Sequence, residues 1–207
     1  MALASLLAAF SPAPAAELSD LPALARRLEA GTEEARVAFV RSLRKADMVA
    51  LWDACEGHAV AVDDFVPAGT RLGREIIHKG KNSLPLFTHF EKRFTTADGQ
   101  PGEVYGYNHT PMNFTTAGPG YFVGHFDPHA GSFGVDYYRV PPANAPLPAS
   151  WPRVRDNRFG LQRFIYAEMI DYMRRVCEGV TIGRAWRRGQ RTDNYFVLAR
   201  TGTPPRG

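Results

Sequence analysis

Apolar residues keep a helical period at the start of the chain and an alternating one through most of the rest. In "LSDLPALARRLEAGT" Leu21, Leu24, Ala25 and Leu28 recur on one face, Ser19 or Asp20 can cap the start, and Gly31 closes it. A second helix is predicted through "TEEARVAFVRSLRKADMVALWDAC": Thr32 caps it, and Val37, Phe39, Val40, Leu43, Met48 and Leu51 keep the spacing up to Gly57. From Val60 the period changes to two. "TRLGREIIHKG", "LPLFTHFEKRFTTADGQ", "GEVYGYNHTPMNFTT", "GYFVGHFD" and "GSFGVDYYRV" read as strands separated by Gly- and Pro-bearing turns. "PPANAPLPASWP" is too rich in proline for a regular element. Beyond it, "FGLQRFIYAEM" reads as a strand. "EMIDYMRRVCEG" reads as a short helix with Ile170, Met173 and Cys177 on one face, and "TIGRAWRR" with "TDNYFVLART" as a closing hairpin.

Two leading helices, about eight strands and one late helix predict an α+β domain. The helices pack on a strongly curved antiparallel sheet or a lipocalin-like (calycin-like) barrel. Closure is favoured because the strands are apolar and no run of Lys protects an edge. Residues 17–200 form one domain on this reading, preceded by a flexible segment over 1–16 and followed by a disordered tail over 201–207. No long internal repeat or heptad occurs, and the pattern assigns no oligomeric state.

Composition narrows the classes. Aromatics make up 12% of the chain and concentrate between Phe87 and Tyr138, as expected of strands lining a pocket for an apolar ligand. The net charge of +4 gathers late, in "RVRDNRFGLQR" and "RAWRRGQR". Arg184, Trp186, Arg187, Arg188 and Arg191 have the chemistry to hold phosphates and stack on a base. The excess is small and the other aromatics lie elsewhere, which argues for a solvated hairpin and against a nucleic-acid partner. Cys55 and Cys177 make no zinc motif; they are either one disulfide or two buried thiols. The apolar run Ala2–Phe10 lacks the preceding basic residue of a signal peptide and is too short to cross a bilayer. A cytoplasmic address and no transmembrane segment follow, with export as the alternative if 1–16 is a cleaved signal.

"LARRLEAGTEEARVAFVRSL" followed by "MVALWDACEG" resembles the opening of the bacterial GXWXG proteins. "YAEMIDYMRRVCEGVTIGRAWRRGQRTDNYFVLAR" resembles the lipocalin-like domain that accompanies it, with a weaker echo at "GKNSLPLFTHFEKRF". The namesake motif is absent, and "IHKGK" carries His78 where that family has an aromatic. The resemblance implies a small barrel with a ligand cavity. It supplies no catalytic residue.

Three neighbouring strands each carry a face mixing aromatic and ionisable groups: Tyr105, Tyr107 and His109; Tyr121, His125 and Asp127; Phe133, Tyr137 and Arg139. Converging, those faces make an apolar-walled pocket with a few polar groups, the usual design of a small-molecule site. The leading expectation is therefore the binding of a small hydrophobic or aromatic molecule, with no cofactor. The alternative is a cofactor-independent isomerase, cyclase or hydratase, with His125 as general acid/base, Asp127 or Tyr107 fixing its tautomer, and Arg139 stabilising an anion. A metal reading joins His125 and Asp127 to His129 or His109, but Pro128 interrupts the alternation before His129, so no metal is expected. The plainest reading makes Asp127-Pro128-His129-Ala130-Gly131 a turn in which Asp127 caps its own backbone. Asn108, His109 and Asn113 around Pro111 are open to the same two readings, ligand contact or backbone support.

Overall fold

The computed structural model describes residues 18–85, 88–109 and 118–202. The segment read above as a flexible or signal-bearing start (1–16) lies outside the described residues, as do Asn113 and residues 203–207 of the tail expected over 201–207. Of that tail, Thr201 closes the last strand and the Gly202 N–H is bonded to Glu33.

Helix α1 (Leu21–Ala30) starts where Asp20 accepts a hydrogen bond from the Ala23 N–H at 3.1 Å, and buries Leu21, Leu24 and Leu28. Helix α2 (Glu33–Ser42) starts where Thr32 Oγ1 accepts from the Ala35 N–H at 3.2 Å. The long second helix expected from periodicity is two helices. Leu43 is extended and buried, and α3 (Lys45–Ala54) begins anew because Asp47 accepts from the Arg44 backbone N–H at 2.8 Å and its Nε at 3.1 Å. A single turn, α4 (Val62–Phe65), follows.

Eight antiparallel strands then run in sequence order around a closed barrel: β1 (Ile76–Asn82), β2 (His89–Thr96), β3 (Glu103–His109), β4 (Tyr121–Asp127), β5 (Ser132–Asp136), β6 (Met169–Cys177), β7 (Val180–Arg187) and β8 (Gln190–Thr201). The expected lipocalin-like barrel is thus present. The strand and helix expected between Phe159 and Gly179 are exchanged: Gln162–Ile165 is a short helix, α5, and Met169–Cys177 is β6. Hydrogen-bonded ladders to β5 and β7 hold β6 extended, and a bulge between Arg175 and Cys177 shifts its phase. Ile170, Met173 and Cys177 do not share a face: Met173 points into the barrel, Ile170 to the other side of the strand, and Cys177, beyond the bulge, into the layer under the helices.

The barrel is covered on much of its outside. Helix α1 packs on β6, α2 across β8 and β1, and α3 on β7 and β8. Their apolar faces meet Val180, Ile182, Tyr195, Val197 and Ala199. Helix α2 lies over the seam where β8 closes on β1, with Glu33 accepting from the Gly202 N–H at 2.7 Å and Lys81 donating to Arg41 O at 2.7 Å. Cys55 and Cys177 are free thiols in this layer, and burial pushes both up to about 12. On another side the proline-rich segment lays Trp151 over Tyr107 and Tyr121. One end of the barrel is solid: α4 inserts Phe65 against Phe133 (4.6 Å) and Phe94 (5.1 Å). Among the described residues no helix is long and apolar enough to cross a membrane.

Candidate ligand-binding site

The other end of the barrel holds a cavity of about 510 Å³. Phe90, Phe196 and Met169 form its walls, with Tyr166, Phe164 and Ile165 at the α5 side. Its floor is polar. Lys92 comes from β2, Asn108 stands opposite it on β3, Asp171 projects from β6 and Tyr137 follows β5. Lys92 and Asp171 are only 2% and 3% exposed, so they border the cavity without opening it further inward.

The four side chains form one hydrogen-bonded group. The Lys92 ammonium donates to Asn108 Oδ1 at 3.0 Å, to Asp171 Oδ2 at 3.1 Å and to the Tyr137 hydroxyl. The Asn108 amide donates to Gly120 O at 3.3 Å and to the Tyr137 oxygen at 2.9 Å. Tyr137 donates its own proton to Asp171 Oδ2 at 3.2 Å. Every donor is used, which is the pattern of an ammonium facing a carboxylate. The rings of Phe196, Tyr137 and Phe122 stand 4.8, 5.0 and 5.1 Å from the ammonium and turn their negative faces to it. Burial pulls the Lys92 ammonium below the usual lysine range, opposed by Asp171, and pushes the Tyr137 phenol well above 10. Tyr166 stacks on Tyr137 at 5.4 Å and screens the group from the α5 side. The site therefore offers apolar walls and a neutral ion pair at the floor, with the Arg187 guanidinium in its lining taken up by the Phe164 and Ile165 carbonyls. The chain matches no family model, no curated protein and no solved structure.

The register divides the residues singled out from sequence. Phe133 and Tyr137 point inward, Tyr137 to the cavity floor and Phe133 to the packed end. Tyr105, Tyr107, His109, Tyr121, His125 and Asp127 lie on the opposite face of β3 and β4, outside the barrel, since Val104, Asn108 and Phe122 occupy the inner one. The three mixed faces do not converge. Tyr107 and Tyr121 pack at 5.4 Å with their rings tilted by 35° beneath Trp151, and Tyr121 donates to Pro152 O, so this aromatic surface is occupied by the chain itself. His109 sits edge-on to Tyr107 at 6.2 Å. Arg139 pairs with Glu103 at 2.8 Å on the surface.

His125 does not reach the cavity; its Nε2 is 3.6 Å from Asp136 and its Nδ1 3.1 Å from Phe126 O. Asp127 serves its turn. One oxygen accepts from the His129 N–H at 2.9 Å, and the other accepts from Tyr172 at 2.6 Å, which with these backbone bonds holds the carboxyl below the usual range. The arginine hairpin also has structural partners. Arg187 donates to Phe164 O and Ile165 O at 3.1 and 2.7 Å, Arg188 to Glu168 at 2.6 Å, and Arg184 to Thr192 O at 2.8 Å. Among the described residues no group of three His, Cys, Asp or Glu is arranged around a metal position.

Sequence reasoning passed over Lys92 and Asp171 and left Asn108 open between ligand contact and backbone support; the structure has it both lining the cavity and donating to Gly120 O. The two that were missed carried a signal. Lys92 stands between Phe90 and Phe94, and Asp171 between Met169 and Met173, each two residues away on the same strand face. A charge flanked in this way shares the apolar, inward side.

Proposed function

We propose that the protein binds a small hydrophobic or aromatic molecule in the open end of its barrel. The observation that carries this reading is the aromatic-walled cavity of about 510 Å³ above the Lys92–Asp171 pair. Enclosures of several hundred Å³ with apolar walls and a few placed polar groups are how proteins hold such ligands. The motif order shared with GXWXG and lipocalin-like proteins supports it as well. A flat apolar ligand lies against Phe90, Phe196 and Tyr166, and a polar substituent reaches Asn108 or Asp171 at the floor.

Ala185 projects into the cavity from β7, so Ala185→Phe should fill it while leaving the barrel closed. A fluorescent long-chain fatty-acid probe is expected to bind the unaltered protein and to lose at least about tenfold in affinity on this substitution. Circular dichroism should show an intact fold. Equal binding by both proteins would refute the cavity as the site. Native mass spectrometry of the protein as isolated reads the mass of whatever molecule it carries.

A further inference from the structure

The segment that leads into α5, beside the mouth of the cavity and reaching it at Phe164 and Ile165, has a composition that neither the barrel nor the ligand site requires. Among the described residues, eight large hydrophobic side chains are exposed, and four of them fall within the seven residues 159–165: Phe159 (71%), Leu161 (58%), Phe164 (63%) and Ile165 (39%). Leu84, 42% exposed, faces the same mouth from the β1–β2 connection. Exposed apolar residues gathered this densely on a monomer mark a surface of interaction.

Their surroundings are basic. Arg153, Arg155, Arg158 and Arg163 lie in the same stretch and are exposed. The one carboxylate between residues 150 and 166, Asp156, is engaged by Arg158 at 2.6 Å. Arg153, Arg155 and Arg163 have no carboxylate partner among the described residues, and Arg163 lies 4.6 Å over the Phe164 ring. Apolar side chains fringed by unpaired arginines match one environment closely: the boundary between acyl chains and anionic headgroups, where long basic stems snorkel to phosphate while rings insert.

We propose that the α5 rim docks on an anionic lipid bilayer. The inference builds on the reading of the cavity as a hydrophobic-ligand site, and it gives that site a partner. Phe164 and Ile165 belong both to the exposed rim and to the cavity wall, so an apolar molecule passes between bilayer and barrel without crossing water. Arg187, holding the Phe164 and Ile165 carbonyls, fixes the rim to β7.

The test is sedimentation of the full chain with vesicles of phosphatidylcholine plus phosphatidylglycerol, against phosphatidylcholine alone. Partition is expected on the anionic vesicles only, weakening with salt. Phe159→Asp/Leu161→Asp should lower it at least about tenfold. Arg153→Glu/Arg155→Glu should lower it by about fivefold or more per residue. Neither Phe159 nor Leu161 borders the ligand cavity, so affinity for the fluorescent probe in solution and the melting temperature should not change. No partition on anionic vesicles, or partition indifferent to the double substitutions, overturns the proposal. So does a dimer in analytical ultracentrifugation that depends on Phe159 and Leu161 without vesicle binding, which would give the face to a second copy. Vesicle binding without probe binding would leave docking standing and remove the cavity reading.

Discussion

Lys92 carries a charge into a space walled by phenylalanine rings, and Asp171 is what makes that position tenable. Removing one member of such a pair strands the other in a medium that solvates it poorly. Lys92→Met and Asp171→Leu are each expected to destabilise the barrel by about 3–5 kcal/mol. Lys92→Met/Asp171→Leu should lose distinctly less than the sum, since no charge is left behind. Urea unfolding of the four proteins closes the cycle, and additivity would contradict the pairing. A second buried group sets a pH dependence. His78 donates from Nε2 to Phe65 O at 2.9 Å, while burial, aided by the Arg200 charge, holds its pKa at about 3 against an ordinary 6.5. Below pH 6.5 the unfolded chain takes up a proton that the folded one refuses. The stability this group contributes is complete above pH 6.5 and drains away as pH falls towards 3, at up to ~1.4 kcal/mol per pH unit. Urea midpoints of wild type and His78→Phe between those values should fall with different slopes, steeper in wild type; parallel lines would show that His78 does not titrate in this way.

At the scale of elements, alternation made most strands legible, and the antiparallel closed barrel followed from their number and their apolar character. What alternation does not mark is which face looks inward when both are buried. On β3 and β4 the outer face carries Tyr105, Tyr107, Tyr121 and Val123, all buried, with Tyr107 and Tyr121 beneath Trp151 of the proline-rich segment, and the inner one Val104, Asn108 and Phe122. The larger tyrosines attracted the site assignment, although they are the ones covered. Glycine held the missing information. A Cβ at Gly106 would stand 2.4 Å from the Phe122 ring, and one at Gly183 2.2 Å from that of Phe196, so these glycines mark the inner face where a neighbour's ring needs the room. The break between α2 and α3 was hidden because Leu43 keeps the apolar spacing while the Asp47 bonds to Arg44 restart the helix. The misreading of β6 has a tertiary origin, since pairing on both edges decides its conformation.

The whole molecule is a barrel wrapped from two directions, by three helices over β6, β7, β8 and β1 and by the proline-rich segment over β3 and β4, with the α5 rim left bare. Covering the wall in this way explains why β8 reads as an unbroken apolar run at "YFVLA": Phe196 and Leu198 fill the interior while Tyr195, Val197 and Ala199 meet the helices. The seam between β1 and β8 has a kinetic consequence. Thr201 donates to Ile77 O across 124 residues of chain, whereas the other strands pair with their sequence neighbours. Closing the longest loop carries the largest chain entropy, so the ring shuts after its neighbouring hairpins have formed. The Glu33 and Lys81 bonds that tie α2 to both banks of the seam form with that closure. Contacts made so late slow unfolding without hastening folding, and in a denaturant chevron Glu33→Gln should lift the unfolding arm while the folding arm stays where it was.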